Sequence, residues 1–512
     1  MQHAPSPLGE NTASHLRRRE WSWLCQPTTT LVTVIAGLTL VRALVAANTG
    51  LTDDEAYYRL WALAPAMSYL DHPPMVGWII AAGRWIAGDT SLGIRLAAVV
   101  ASLLGPFVLW RTTEILFGSK TAMRAVWVAL AMPLLAVGGV IVTPDTPSVL
   151  FWGLAAWALA ELHVSRNANW WLAVGMFAGL GLLSKYSNLF LGAGVVLWLV
   201  LVPANRFWLR TWQLWAGGAV ACMLALPVLL WNAQHDWASF AKQFGRVAHR
   251  QQLALTYLAE FAGGLLGLMS PVIAVVAVLG LWRVTRSALS GKDPSSALIT
   301  AGTLPLLLYL VVHALHDRAQ PNWAAPLYPS FAVCAAIALA ETEGRPGSAR
   351  LFGNAGMSAL AIGFLTSGFL YLHAISPLPQ MPRPKDPTDQ MRGWHDFAAE
   401  VERVRASTGA CWVATSSYAT TGQLAHQLKH KAPVLQLTER LRYLHLPPVV
   451  DAVLACPALY VELERRSSAA LLRERFRSVV PLGRIARKQG GTEVAAYAVY
   501  LAADPRTDAL AR

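Results

Sequence analysis

Charge is what this chain lacks. Only 14% of its 512 residues are Asp, Glu, Lys or Arg, while 55% are apolar and the mean hydropathy is +0.40, values that exclude an ordinary soluble globule. Cysteine is also sparse: Cys25, Cys222, Cys334, Cys411 and Cys456 include no pair close enough for a CxxC hook, which excludes a zinc ribbon or finger. A concentrated basic stripe is missing too. The formal charge of +13 comes from Lys and Arg scattered among short loops, the pattern of membrane orientation signals rather than of nucleic-acid binding. The paired halves with matching interrupted helices that carriers usually show are also missing, which argues against a transporter or flippase of lipid or sugar, the competing reading from a different class.

What the chain has is long apolar runs, recurring from Leu31 to about His373 and then stopping. Pro377, Pro379, Pro382, Pro384 and Pro387 lead from there into a tail of soluble composition. The organisation expected is a cytoplasmic segment at 1–29, an α-helical polytopic membrane domain at 30–375 and an extracytoplasmic α/β domain at 376–512. Eleven spans are expected: 30–47, 94–112, 124–142, 146–164, 169–184, 187–203, 213–231, 257–282, 297–315, 323–340 and 353–375. The apolar stretch 75–88 is only about 14 residues long and carries Arg84, so it is expected to lie at the interface or to re-enter.

Loop charge supports that choice. With 75–88 not crossing, the loops holding Arg111, Lys120 and Arg124, Arg166, Arg206 and Arg210, Arg283 and Arg286, and Arg345 and Arg350 all fall on the side of Arg17 to Arg19. No small-residue cleavage site follows the first run, which therefore reads as a retained helix with its N-terminus in the cytoplasm. The acidic loops fall outside, and with them the C-terminal domain.

Three groups of chemistry-bearing residues meet on that outer face. The first is Asp53-Asp54-Glu55-Ala56-Tyr57-Tyr58, directly after the first run. The second is Asp71-His72-Pro73-Pro74, and the third Thr143-Pro144-Asp145. Three adjacent carboxylates at a membrane boundary are costly to desolvate and are kept where they line a polar cavity or do chemistry, although a solvated helix-starting turn is the plain alternative. A carboxylate that takes a proton from an acceptor hydroxyl is what group transfer to an alcohol requires. Cations reach the same face as Lys185, His249, Arg250 and Arg318, which suits a phosphate-bearing ligand, although Lys185 between two runs could merely snorkel. Asp71 and His72 could hold a divalent cation, but one acid and one imidazole are too few ligands to name it.

These motifs, in this order, resemble the GT-C fold membrane glycosyltransferases of the branch that contains protein O-mannosyltransferases and the lipid A aminoarabinose transferase. Asp54 to Tyr58 is similar to the branch's first-loop Asp-Glu signature, Asp71 to Pro74 to its second loop motif, and Asp145 to its Pro-Asp pair. Gln320-Pro321-Asn322-Trp323 is also typical. The resemblance implies inverting transfer of a sugar from a polyprenyl-phosphate donor to a lipid A or other glycolipid acceptor, by a monomer among membrane lipids in the bacterial inner membrane, at its periplasmic face. Protein O-glycosylation is the alternative within the fold. Asp54 would be the catalytic Asp, Asp145 the second essential carboxylate and Asp53 its neighbour or partner. Lys185, Arg318, Arg250 and His249 would take the donor phosphate, and Glu55, Tyr57, Tyr58, Asp71, His72, Asn322, Trp323 and Tyr418 would line the substrate site. Aminoarabinose-type relatives carry Lys where His72 stands, which argues against carrying over that sugar specificity.

In the tail, Trp394 to Ser407 reads as an amphipathic helix, and 411–415, 434–437, 459–462 and 494–501 read as strands. A disulfide between Cys411 and Cys456 could persist outside the cytoplasm, but both cysteines sit near expected strands and read as ordinary core residues.

Overall fold

The structure, a computed structural model, describes residues 28–248, 253–291, 293–342, 348–377 and 386–506. Within these, eight helical segments are long and apolar enough to cross a membrane, from Thr29–Asn48 to Gly356–Ile375. A ninth span arises if Tyr186–Leu201 and Pro203–Arg210, bent by 118°, are taken together. Their outer surfaces carry exposed Leu40, Leu44, Val196, Trp215, Met223 and Leu365. Lipid is the medium in which such faces are stable, because each helix already satisfies its own backbone polar groups.

Two expected spans are broken. The run 257–282 divides into Leu255–Met269 and Pro271–Leu289 at Ser270, whose φ is +75°. Residues before proline are driven out of the helical region, and this one ends the first helix. The run 124–142 likewise divides into Ser119–Leu130 and Pro133–Gly138. The stretch after the first loop forms the short helix Met75–Ala87, of 13 residues, whose Arg84 bonds Asp89 at 2.8 Å and the carbonyl of Ala62 at 3.0 Å.

The C-terminal part is built on a five-stranded sheet: β1 (Trp412–Thr415), β2 (Val434–Gln436), β3 (Ala458–Leu463), β4 (Phe476–Gln489) and β5 (Thr492–Pro505). The order is β2-β1-β3-β5-β4, with β1 parallel to β2 and β3 and the β4–β5 hairpin antiparallel. Alternation along the strands separates two apolar layers. Val413, Leu459 and Val461 pack under the Trp394–Thr408 helix with Phe397 and Val401, while Trp412, Tyr460, Leu472 and Phe476 fill the other face. Cys411 and Cys456, for which the sequence left both a bridge and ordinary core thiols open, form a disulfide.

This domain is fastened to the membrane part along the first-loop helix, Asp53–Leu63. The Tyr418–Gln427 helix lies against it so closely that a Cβ at Gly422 would come within 2.7 Å of the Tyr57 nitrogen. Gln423 donates to the carbonyl of Leu51 at 2.9 Å and to Asp53 at 3.2 Å.

Candidate active site

Residues 52–55 form a capping box that starts the first-loop helix. The Glu55 backbone N–H donates to the Thr52 hydroxyl at 3.2 Å, and the Thr52 N–H donates to the Glu55 carboxylate at 2.9 Å. The same carboxylate accepts from Arg95 at 2.8 and 2.7 Å and from the Val142 N–H at 3.0 Å. Arg95 in turn donates to the carbonyls of Ala46 and Thr49, both at 3.1 Å, and to that of Gly50 at 2.6 Å. Glu55 and Arg95 are both fully enclosed. Glu55, expected to contact substrate, is thus a buried clamp. It joins the end of the first span to the segment that leads into Thr143-Pro144-Asp145.

The clamp brings two acids to one cavity of about 480 Å³, lined at its polar end by Thr52, Asp54, Thr143, Asp145, Asn322 and Gln390. Its other walls are mostly apolar, built from the Ser91–Phe117, Ser119–Leu130 and Asp145–Ser165 helices through residues such as Leu109, Leu130, Leu150 and Trp152, with Arg42, Ser102 and Thr112 among them. Asp54 opens onto the cavity but has protein around most of its carboxylate. Burial raises its pKa above the usual carboxylate value, and the negative charges of Asp53, Glu55 and Asp71 push the same way against a hydrogen bond with Tyr418. Burial also raises Asp53, opposed by Gln423, Arg487 and Arg466. Asp53 does not line the cavity; it turns toward the C-terminal domain.

Asp145 stands at the start of its helix, with its own N–H donating to the Thr143 hydroxyl at 3.2 Å. Lys185 donates to one carboxylate oxygen at 2.6 Å and Asn322 to the other at 3.2 Å. Lys185, expected on the donor phosphate, is therefore engaged by Asp145. Asn322 reaches the cavity as expected. Trp323 does not: it packs on His313, ring centroids 5.5 Å apart, and on the apolar core.

Asp71 anchors a second cluster beside the first. Tyr57 donates to it at 2.8 Å, Lys242 pairs with it at 2.8 Å, and Arg442 pairs with it while also bonding Glu439 at 2.9 Å. Burial pushes the Asp71 pKa up, but Arg442, Lys242 and the Tyr57 hydroxyl outweigh it and hold the group below the usual range. A carboxylate already shared by two cations is a poor metal ligand, so the cation expected at Asp71 and His72 has no support here. Among the described residues no three His, Cys, Asp or Glu side chains are grouped to hold a metal. Around this cluster Tyr57, Tyr58, Trp61, Tyr418 and Tyr443 form an aromatic patch, with His72 on the Tyr58 ring at 6.2 Å and Arg442 over the Tyr57 and Tyr418 rings at 5.7 and 5.2 Å.

Arg318 lies elsewhere. It pairs with Glu260 at 2.7 Å on an exposed surface, where an ion pair contributes little. His249 and Arg250 fall outside the described residues. Sequence reasoning missed Lys242, Arg442, Arg95 and Arg42. Of these, Arg42 and Arg95 could have been found, because an ionisable residue within a membrane helix is itself a signal.

Long apolar helices carrying two loop acids to a shared cavity, with a small C-terminal sheet domain, define the architecture: the chain has the GT-C fold. Residues 71–231 match the family described as dolichyl-phosphate-mannose-protein mannosyltransferase. The chain is similar to the lipid A galacturonosyltransferase RgtD of Rhizobium johnstonii, at 29% identity over 58% of this chain and 62% of the relative. It is also similar to the undecaprenyl phosphate-α-4-amino-4-deoxy-L-arabinose arabinosyl transferase of Edwardsiella ictaluri, at 28% identity over 37% of this chain and 35% of that one. The match thus spans less than two thirds of either relative. Its fold is similar to the crystal structure of ArnT from Cupriavidus metallidurans bound to undecaprenyl phosphate, with a TM-score of 0.63 and 15% identity over 93% of this chain and 98% of that one.

Proposed function

We propose that this chain is a membrane glycosyltransferase that moves a sugar from a polyprenyl-phosphate-linked donor to lipid A or a similar lipopolysaccharide acceptor by inverting transfer. One observation carries the reading: Asp54 and Asp145 open on a single cavity whose lining is otherwise mostly apolar. An amphiphilic phosphate fits such a space, with its headgroup among the acids and its chain against Leu109, Leu130 and Trp152. The names of the relatives, a lipid A galacturonosyltransferase and an undecaprenyl-phosphate arabinosyl transferase, support the donor and acceptor classes.

In this mechanism an acceptor oxygen attacks the anomeric carbon and the bond to the polyprenyl phosphate breaks, the phosphate leaving with the electron pair. Asp54 takes the proton of an acceptor hydroxyl, or orients an acceptor that is itself a phosphate. Asp145, held by Lys185 and Asn322, fixes the geometry of the reacting groups. The reaction belongs to the outer face of the bacterial inner membrane. Supporting this, the Ser91–Phe117 and Asp145–Ser165 helices lead away from the acids toward Arg111 and Arg166, as the positive-inside rule expects of cytoplasmic ends.

Reconstituted vesicles given labelled undecaprenyl-phosphate sugars and lipid A should show transfer by the wild type and none by Asp54→Asn. Wild-type turnover by that variant would overturn the role of Asp54. Mass spectrometry of envelope lipids from a deletion strain should reveal a missing sugar on lipid A; a mass lost from a protein instead would reassign the acceptor.

A further inference from the structure

Of the four cations expected to hold a phosphate, the two that lie among the described residues are otherwise occupied: Lys185 by Asp145, Arg318 by Glu260 on the surface. Among the described residues the cavity wall nevertheless contains one cation, Arg42, carried by the Thr28–Asn48 helix. It lies six residues before the end of that helix, about 9 Å inside at the helical rise per residue.

Arg42 is held in place by neutral groups alone. Its Nε donates to the Tyr371 hydroxyl at 3.3 Å and one terminal nitrogen reaches the carbonyl of Ser102 at 3.5 Å, while Tyr371 is itself fixed by donating to the carbonyl of Ala136 at 2.6 Å. Among the described residues no carboxylate pairs with it and its second terminal nitrogen makes no hydrogen bond. The side chain is only 3% exposed. Gly139 leaves the room it needs, since a Cβ there would stand 2.8 Å from the Arg42 Cδ and 3.0 Å from its Nε.

A guanidinium within a membrane helix is costly unless an anion compensates it, and two neutral acceptors at the long end of hydrogen-bond range are weak compensation. The two acids at the cavity's polar end, Asp54 and Asp145, would repel a phosphate, so an anionic ligand needs a cation on another wall. The apolar lining narrows the ligand further, to an anion that brings a hydrocarbon chain. We infer that Arg42 binds the phosphate of the lipid-linked donor, holding it at the boundary between the cavity's acidic and apolar parts. This rests on the proposed transferase reading and adds to it the residue that takes the leaving group's charge. The planar fork of the guanidinium offers two parallel donors to phosphate oxygens, which an ammonium cannot reproduce.

The test uses undecaprenyl phosphate and undecaprenol as paired probes on the purified full chain in nanodiscs, with affinity read by native mass spectrometry. The wild type should prefer the phosphate over the neutral alcohol. Arg42→Gln should lose roughly tenfold to a hundredfold in affinity for the phosphate and none for the alcohol, the scale of a charge-assisted hydrogen bond. Arg42→Lys should recover part of that loss. Unchanged phosphate preference in Arg42→Gln would overturn the inference while leaving the transferase reading intact. A wild type that binds neither probe would overturn both. Should Arg42→Gln not fold, Arg42→Lys decides alone: a weakened phosphate preference supports the assignment and an unaltered one refutes it. Addition of lipid A separates the two sources of phosphate, because competition by lipid A that disappears in the variant would assign the residue to the acceptor instead.

Discussion

Removing the charge of Glu55 should dismantle the site without touching its cavity. In Glu55→Gln the side chain keeps its size, but Arg95 loses its only carboxylate in a fully enclosed position, where both partners have no exposure to water. Breaking such a pair by changing one member costs about 3–5 kcal/mol, much of it the desolvation of the charge left behind. The Thr52 cap and the Val142 contact weaken as well, since both bonds now meet a neutral amide, one end of which carries hydrogens instead of lone pairs. Arg95→Met should cost a similar amount by stranding the carboxylate. The double variant should cost clearly less than the sum of the two, because neither charge is then left alone. The assay is the fraction of each detergent-purified variant that stays monodisperse after graded heating, with transfer measured on the surviving material. Additive losses, or a Glu55→Gln variant as heat-resistant and as active as the wild type, would refute the clamp.

Other outcomes follow from the same site. The folded chain holds the Asp54 proton more tightly than the unfolded chain, so ionising Asp54 costs stability as pH rises past the ordinary carboxylate value. Asp54→Asn should therefore melt at or above the wild-type temperature at neutral pH while transfer falls at least about a hundredfold, and wild-type transfer should decline as pH drops through the raised pKa. Asp71 has the opposite sign: its folded pKa is lowered, so its contribution is present at neutral pH and is lost as pH falls through that lowered value. Asp71→Asn should lose roughly 1.5–3 kcal/mol at neutral pH and flatten the acid side of the melting profile, checked by melts across pH. The Cys411–Cys456 bridge spans a sequence separation of 45. Its loss should destabilise the C-terminal domain by up to about 4 kcal/mol, seen as faster proteolysis of the tail after reduction, with intact mass and alkylation reporting the bond.

Most of the fold was legible because membrane helices announce themselves by composition. The breaks were harder: Ser270 before Pro271, and the pair of short helices around Pro133, sit inside runs whose average hydropathy hides a change of direction. In the C-terminal domain β1, β2, β3 and β5 read as apolar segments, but β4 did not. It is an edge strand carrying Arg477, Arg484, Arg487 and Lys488, with a register shift between Pro481 and Gly483, the features by which edge strands avoid pairing with other chains. At the site, the sequence located Asp54, Asp145 and Asn322 because short polar motifs stood out against an apolar background. It placed Glu55 in the substrate site beside Asp54, because adjacent residues of like charge look alike in sequence. Helical geometry turns one toward the cavity and the next into a buried pair with Arg95, 40 residues away. Arg442 and Lys242 were invisible for the same reason, since only folding brings them to Asp71.

Gly422 has a practical consequence for anyone dissecting this protein. Where two backbones meet with no side chain between them, the outer helix is part of the wall behind Asp54, and the tail cannot be treated as an appendage. Cutting the chain before it would leave the first-loop helix without its neighbour, so a truncated membrane half should be judged a different object rather than a minimal version. Saturation mutagenesis should likewise mark this hydrogen-bearing carbon as intolerant as the acids themselves, although it performs no chemistry.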